Sequence, residues 1–316
     1  MIRYTAERLA AGAGTLLVVS FLTFWLGTLI PGDLVTVLVG SEGATPQQYR
    51  ELRHKLGLDD PLPTQYLRWL RGAIHGDFGK SPITGRYVAE DIARQLPISL
   101  ELAVLGLGGS ILIGIPVGVV AAVRANQPAD LALRSVFLVA FSIPPFVAGV
   151  LLVLAGALYL RPIYQTTYVP ITTNLLGNLR SMILPTLSVA IPLAALTAQM
   201  SRSSMLEALG EPYIATARAK GAHERHVLYI HALKNALPPV ITLQGYVFGS
   251  LLGGLIVTEQ IFNLEGLGRG LLVAFGRRDY PFVVAGTLIV AAAYILANLI
   301  VDILYPILDP TQRASG

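Results

Sequence analysis

The run from Leu9 to Ile30 carries no ionisable side chain. At about 1.5 Å per helical residue it is long enough to cross a hydrocarbon core of about 30 Å. Five further apolar segments follow, at roughly 98–123, 133–158, 182–205, 237–261 and 282–305. No water is available inside a bilayer to satisfy exposed backbone groups, so such segments must fold as helices. The pattern therefore predicts an all-α integral membrane protein with six spans. Only 13% of the chain is charged, against about 25% in soluble domains, which excludes an ordinary soluble enzyme. The net charge of +4 comes from basic residues lying mostly between the apolar runs. It points to lipid headgroups rather than nucleic acid. Without cysteine there is no disulfide framework and no thiol chemistry.

Six spans place both termini on one side, and the short loops decide which side. Arg124 and Arg134 flank the second-to-third connection. Arg202 and the 207–239 loop add further positive charge, and Arg3, Arg8 and Arg313 lie near the ends. All fall on one face if both termini are cytoplasmic, as the positive-inside rule requires. Segments 34–97, 161–181 and 263–281 then lie outside, with Arg269, Arg277 and Arg278 as exceptions to the asymmetry. The first apolar run exceeds the length of a signal-peptide core and ends at Leu29-Ile30-Pro31-Gly32-Asp33, so it reads as a retained span.

Residues 34–97 form the largest polar region. Thr45-Pro46-Gln47-Gln48 predicts a helix start, and Gly57-Leu58-Asp59-Asp60-Pro61 a stop. Gly79-Lys80-Ser81 superficially matches the end of a phosphate-binding loop. The first glycine of that motif would stand at position 74, which is Ile74, so no nucleotide site is assigned.

Within the spans, Ser110, Gly114, Gly118 and Ala122 form one stripe of small residues, and Gly245, Gly249 and Gly253 another. Both predict close helix approach. Pro116, Pro144-Pro145, Pro185 and Pro192 predict local interruptions of backbone hydrogen bonding. Glu101, Glu259 and Asp302 sit near predicted span ends, where interfacial solvation is expected. Deeper polar groups are Thr197, Gln199, Gln244 and Asn298, which suit either interhelical hydrogen bonds or a polar path. No nucleophile elbow or zinc-protease motif occurs. His223-Glu224-Arg225-His226 has the wrong spacing for a metal helix, and His223, His226 and His231 lack nearby carboxylate or thiolate partners.

The polar loop Glu207–Pro239 predicts a short helix from Gly210-Glu211-Pro212, a glycine stop at Gly221, and a second helix from about His223 to Leu237. Pro238-Pro239 then opens the next apolar segment. The run Tyr213-Ile214-Ala215-Thr216-Ala217-Arg218-Ala219-Lys220-Gly221, followed by His231-Ala232-Leu233-Lys234-Asn235-Ala236-Leu237-Pro238, resembles the "EAA" loop of ABC-importer permeases. It is closest to the dipeptide/oligopeptide/nickel branch. The Glu-Ala-Ala of that motif is Ala215-Thr216-Ala217 here, and His223 replaces the serine that often caps the second helix.

Further motifs extend the resemblance along nearly the whole chain. They include Leu56-Gly57-Leu58-Asp59-Asp60-Pro61, Gln65-Tyr66-Leu67-Arg68-Trp69-Leu70 and Gly76-Asp77-Phe78-Gly79-Lys80-Ser81, similar to the external insert of the B-type peptide permease subunit. Leu96-Pro97-Ile98-Ser99-Leu100-Glu101-Leu102, Glu259-Gln260-Ile261-Phe262, Gly266-Leu267-Gly268, Arg278-Asp279-Tyr280-Pro281, Asp302-Ile303-Leu304-Tyr305 and Leu308-Asp309-Pro310 follow in order.

The resemblance implies six transmembrane helices of the type I importer (MetI-like) fold. A cytoplasmic N-terminus and first helix would occupy 1–30, an external insert 31–97, and a five-helix core 98–316 with a coupling loop at 207–237. It implies a non-catalytic subunit in a bacterial or archaeal plasma membrane, forming half of a path for di- or oligopeptides. The partners would be a second permease subunit, two ATP-binding subunits that hold ATP and Mg, and an external substrate-binding protein.

By the same resemblance, coupling to the ATPase falls to Glu211, Tyr213, Ala215, Ala217, Arg218, Lys220, Gly221, His223 and Arg225. The size of 34–97 and its mixture of charges with aromatics assign docking of the binding protein to Tyr66, Trp69, Asp77, Phe78 and Lys80, and the deep polar groups and the glycine stripe assign the path to Gln199, Gln244 and Gly249. A nickel or other small-solute permease of the same family is the alternative. An ion-coupled transporter would need inverted repeats and midplane charges that the sequence lacks.

Overall fold

The computed structural model describes residues 2–29, 35, 45–55, 57–160, 165 and 167–308. Pro31-Gly32-Asp33, Leu56, the terminal Asp309-Pro310 and Arg313 lie outside them. The described residues are almost wholly helical. In order they are α1 (Ile2–Leu29), α2 (Pro46–Lys55), α3 (Leu62–Ile74), α4 (Val88–Val123), α5 (Pro128–Ser142), α6 (Pro145–Tyr159), α7 (Leu175–Gly210), α8 (Pro212–Ala219), α9 (Glu224–His226) with a π-helical turn Val227–Ala232, α10 (Leu233–Gly254), α11 (Ile256–Ile261), α12 (Leu267–Gly276) and α13 (Tyr280–Leu308). Five helical stretches are long and apolar enough to span a membrane, and the count rises to six if the bent pair α5 and α6 is one span.

The expected single span at 133–158 is instead two helices of 15 residues meeting at 97°. Each is about 22 Å long at the helical rise, short of a bilayer core. The break has a local cause. Pro144 offers no N–H and drives Ile143 out of the helical region, to φ −79°, ψ 119°. Pro145 then sits at the first position of α6, where its missing donor costs nothing. Pro185 and Pro192 lie within the 36-residue α7 without ending it. Pro238-Pro239 likewise fall inside α10, so the apolar segment begins at Leu233 rather than at the prolines. The segment expected at 237–261 is divided at Leu255 into α10 and α11.

The chain forms two compact units, Met1–Ser99 with Glu265–Leu296, and Leu100–Leu264 with Ala297–Gly316. In the first, α3 lies along α1. Tyr66 meets Phe21 edge-on at 5.4 Å and shares a 2.8 Å hydrogen bond with Ser20, while Trp69 packs on Phe24 at 5.7 Å. The predicted start of α2 is a reciprocal cap: the Thr45 N–H donates to Gln48 Oε1, and the Gln48 N–H to Thr45 Oγ1. Its predicted stop contains Gly57 at φ +65°. Val88, Ile92, Leu267, Ala274, Phe282 and Ala285 make the apolar core of this unit, and Phe78 packs on it. Ser99 Oγ accepts from the Leu267 N–H at 2.8 Å and so caps α12. Buried Ser81 donates to Asp279, whose carboxyl is pushed above its ordinary value by burial, against the lowering effect of that hydrogen bond.

In the second unit α4 and α7 lie in close contact through small residues. An added Cβ at Gly114 would come within 2.5 Å of Thr197 Cβ, and one at Gly118 within 2.5 Å of the Ala198 carbonyl oxygen. A polar node crosses three helices here. Gln244 Nε2 donates to Thr197 Oγ1 at 2.7 Å, and Ser110 Oγ donates to Gln244 Oε1 at 3.3 Å.

Two carboxylates expected at span ends are engaged by or buried in the protein. Glu101 accepts from Tyr168 Oη at 2.7 Å and Asn178 Nδ2 at 2.6 Å. Glu259 is fully buried in the short helix α11.

Candidate functional site

Helix α8, the turn at Gly221 and the helical run that follows form a separate module on the second unit. Its foundation is apolar. Ile214, Val227, Ala232 and Ala236 are buried against Val119 and Ala122 of α4 and Met205 and Ala208 of α7, with Ala217 and Ala222 packed alongside. Ile214 is the one buried residue of α8, so that short amphipathic helix turns every other side chain outward or to the rim.

Gly221 adopts φ +80°, which L-residues with a side chain reach only at a cost. The Ala222 N–H donates to the Ala217 carbonyl at 3.2 Å and the Gly221 N–H to the Arg218 carbonyl at 2.9 Å. These are the two bonds of a Schellman stop, with the alanine pair 217 and 222 as its apolar contact. The expected glycine stop is therefore present in full. Across the turn, Arg218 grips Glu224 through two hydrogen bonds of 2.7 and 3.2 Å.

His223, which stands where the loop it resembles often has a capping serine, also acts as a cap. Its Nδ1 accepts the Arg225 N–H at 3.3 Å, capping α9. Tyr213 Oη accepts from Asn235 Nδ2 at 2.9 Å, clasping α8 to α10. The π-turn widens the helix so that residues five apart stand above one another. His226 and His231 accordingly meet edge-on at 5.2 Å.

The outward surface presents Glu211, Tyr213, Ala215, Arg218, Lys220, Gly221, His223 and Arg225, with Ala217 at its rim. It also exposes Tyr229 and Ile230, which the sequence reading passed over because the π-turn is not a sequence pattern. The loop residues assigned from sequence are exposed, with Ala217 half-buried, and they are spread around α8 and the turn, Tyr213 and Ala215 standing on different sides of the helix.

The other assignments are scattered. Tyr66 and Trp69 are half-buried against α1 and Phe78 is half-buried in the core. Asp77 is exposed and accepts from the Gly79 N–H, and Lys80 is exposed with Nζ 4.6 Å from the Tyr87 ring centre. Gln199 is exposed, whereas Gln244 and Gly249 are buried between helices.

Beside the module lies a pair that the sequence reading missed. Asp130, 1% exposed, receives two 2.7 Å hydrogen bonds from Arg202 and a third from the Asn126 N–H at 3.0 Å. Gln127-Pro128-Ala129-Asp130 does carry a helix-start signature with an acid in the first turn, but nothing in the sequence pairs positions 130 and 202.

Residues 114–314 match the family described as Binding-protein-dependent transport system inner membrane component, and residues 1–103 match its N-terminal companion. A putative peptide transport system permease protein of Brucella abortus (strain 2308) is 40% identical over 307 residues, covering 97% of this chain and 98% of that protein. The dipeptide transport system permease protein DppB of Escherichia coli (strain K12) is 38% identical over 337 residues, covering 99% of each. Among solved structures, the MetNI methionine ABC transporter in inward-facing conformations superposes with TM-score 0.53 at 20% identity, over 69% of this chain and 96% of that one. An amino acid ABC transporter with histidines gives 0.51 at 16%, over 70% and 94%. The structures establish a shared permease fold; the family match and the near full-length identity establish that this multi-pass chain belongs to the binding-protein-dependent transport system inner membrane components, the permease subunits of ABC transporters.

Proposed function

We propose that the chain is one of two permease subunits of an ATP-driven importer of di- and oligopeptides. The observation that carries this is the identity of 38–40% over essentially the whole length of relatives named as peptide and dipeptide permeases. Two ATP-binding subunits hold ATP and Mg, and an external binding protein delivers the solute. The Pro212–Leu237 module is the surface the ATPase grips. Its polar and aromatic outer face suits a protein partner, and its apolar foundation transmits displacement to the ends of α4 and α7. Segment 31–97 is the external insert, with Asp77 and Lys80 offered to the binding protein and the Tyr66–Trp69–Phe78 aromatics holding their platform. Gln199 faces the path, while Gln244 and Gly249 set helix spacing.

The test is uptake into liposomes by the complex reconstituted with its ATPases and binding protein. ATP-dependent accumulation of a labelled dipeptide is expected. Accumulation of nickel with none of dipeptide or tripeptide would assign nickel as the solute in place of peptides.

Orientation is tested separately. Thr64 and Lys220 are both exposed, whereas Ser81 is buried and unsuited to labelling. Thr64→Cys is expected to react with an impermeant thiol reagent in intact cells, and Lys220→Cys only after lysis. The reverse pattern would invert the topology.

A further inference from the structure

We infer that the buried Asp130–Arg202 pair is the tie through which movement of the 212–237 module reaches the broken span α5–α6; this rests on the coupling role proposed for that module. Three observations converge on it. Met205 and Ala208, on the last turns of α7, form part of the apolar plug under the module, and Arg202 stands one turn earlier on the same helix. A continuous helix moves as a rod over so short a distance. Arg202 is held to Asp130 by two parallel 2.7 Å hydrogen bonds, the fork-to-carboxylate geometry that fixes orientation as well as distance. Asp130 lies in the first turn of α5, and the turn before it is locked onto the same carboxylate. Asn126 sits at φ +62° and its N–H donates to Asp130 Oδ2.

Beyond Asp130 the apolar side chains of α5 are largely exposed, with Leu131, Val136, Leu138 and Phe141 each more than half accessible. The first turn is thus where α5 is most firmly held by polar contacts. The hinge at Ile143-Pro144 lets α6 respond at an angle. Gly149 of α6 lies close enough to α11 that an added Cβ would stand 3.3 Å from Ile261. The pair is therefore a positioning device rather than a contact for solute.

A purely structural role predicts something different. Removing one partner strands a buried charge, whereas removing both relieves the desolvation cost and commonly restores stability. The experiment uses the reconstituted complex and measures thermal stability, binding-protein-stimulated ATP hydrolysis and uptake. Asp130→Leu with Arg202→Met is expected to regain wild-type stability and stimulated hydrolysis while uptake per ATP falls at least tenfold. Arg202→Lys keeps the charge and one hydrogen bond but not the fork; its uptake per ATP is expected to fall several-fold in a stably assembled complex. Full uptake per ATP in either variant would overturn the inference, and Arg202→Lys decides the matter if the double variant does not assemble. Should Gly221→Val couple fully in the same assay, the coupling role of the module itself fails, a result distinct from either.

Discussion

Gly221→Val is expected to abolish coupled transport while leaving a folded, inserted protein. An added Cβ at Gly221 meets nothing within 4 Å, so the isolated subunit has room for a side chain. The obstacle is the backbone. At φ +80° a β-branched residue sits in a region that costs roughly 1–2 kcal/mol or more, and the chain relieves that cost by leaving the left-handed conformation. Doing so breaks both bonds of the Schellman stop and swings Glu224 away from Arg218. The angle between α8 and the following helix is then no longer fixed.

The apolar plug under Ile214 and Val227 is untouched, so the subunit should still insert and pair. Uptake is expected to fall more than tenfold, and hydrolysis by the purified complex to lose its response to the loaded binding protein. Gly221→Asn is the internal control. Asparagine tolerates the left-handed region and should retain most of the coupling. If valine and asparagine fail equally, crowding by the partner is the cause rather than backbone conformation; if valine couples fully, the module is not the transmission element.

Much of this module was legible in the sequence because its determinants are local. A proline at the first helical position, a glycine one residue past the stop, and a cap before Glu224 each act within four residues. The spans were legible for the same reason, since an apolar run must be helical in lipid wherever it packs. What the sequence concealed depends on distant partners. Tyr66 and Trp69 show as aromatics in a polar segment, but only the fold shows that α1 supplies Phe21, Phe24 and Ser20 to receive them. Glu101 shows as a charge near a span end, but its partners Tyr168 and Asn178 lie 67 and 77 residues away in sequence. The prolines at 144 and 145 announced an interruption, but an interruption does not specify an angle. The same residue type at 185 and 192 leaves α7 unbroken. Arg202 counted correctly as a basic residue near a span end, yet its fork geometry to Asp130 is a property of two helices 72 residues apart in sequence.

The small-residue stripe on α4 carries the other large effect. Gly118→Ala is expected to destabilise the second unit by about 1–3 kcal/mol, the usual range for overpacking a filled interior, and Gly114→Ala comparably. The new methyl at 118 would lie 2.5 Å from the Ala198 carbonyl oxygen, 2.7 Å from Ser201 Cβ and 3.1 Å from Ala198 Cα. Two of those neighbours are backbone, so no rotamer change can make room and α7 itself must retreat. Retreat lengthens contacts along the whole α4–α7 interface, where a gap of about 0.5–1 Å already forfeits a quarter to a half of each dispersion contact. It also pulls Thr197 from Gln244, and so loosens the node that ties in α10. Without a hydrophobic force between helices in lipid, close packing of this kind is the main source of their association. Gly108 is the matched control on the same helix, since an added Cβ there meets nothing within 4 Å. Gly108→Ala should be neutral, or more stable by up to about 1 kcal/mol through helix propensity. Thermal unfolding of the two variants in the same detergent separates the cases. An alanine at 118 that unfolds at the wild-type temperature would show that α4 and α7 do not approach as closely as Gly114 and Gly118 require.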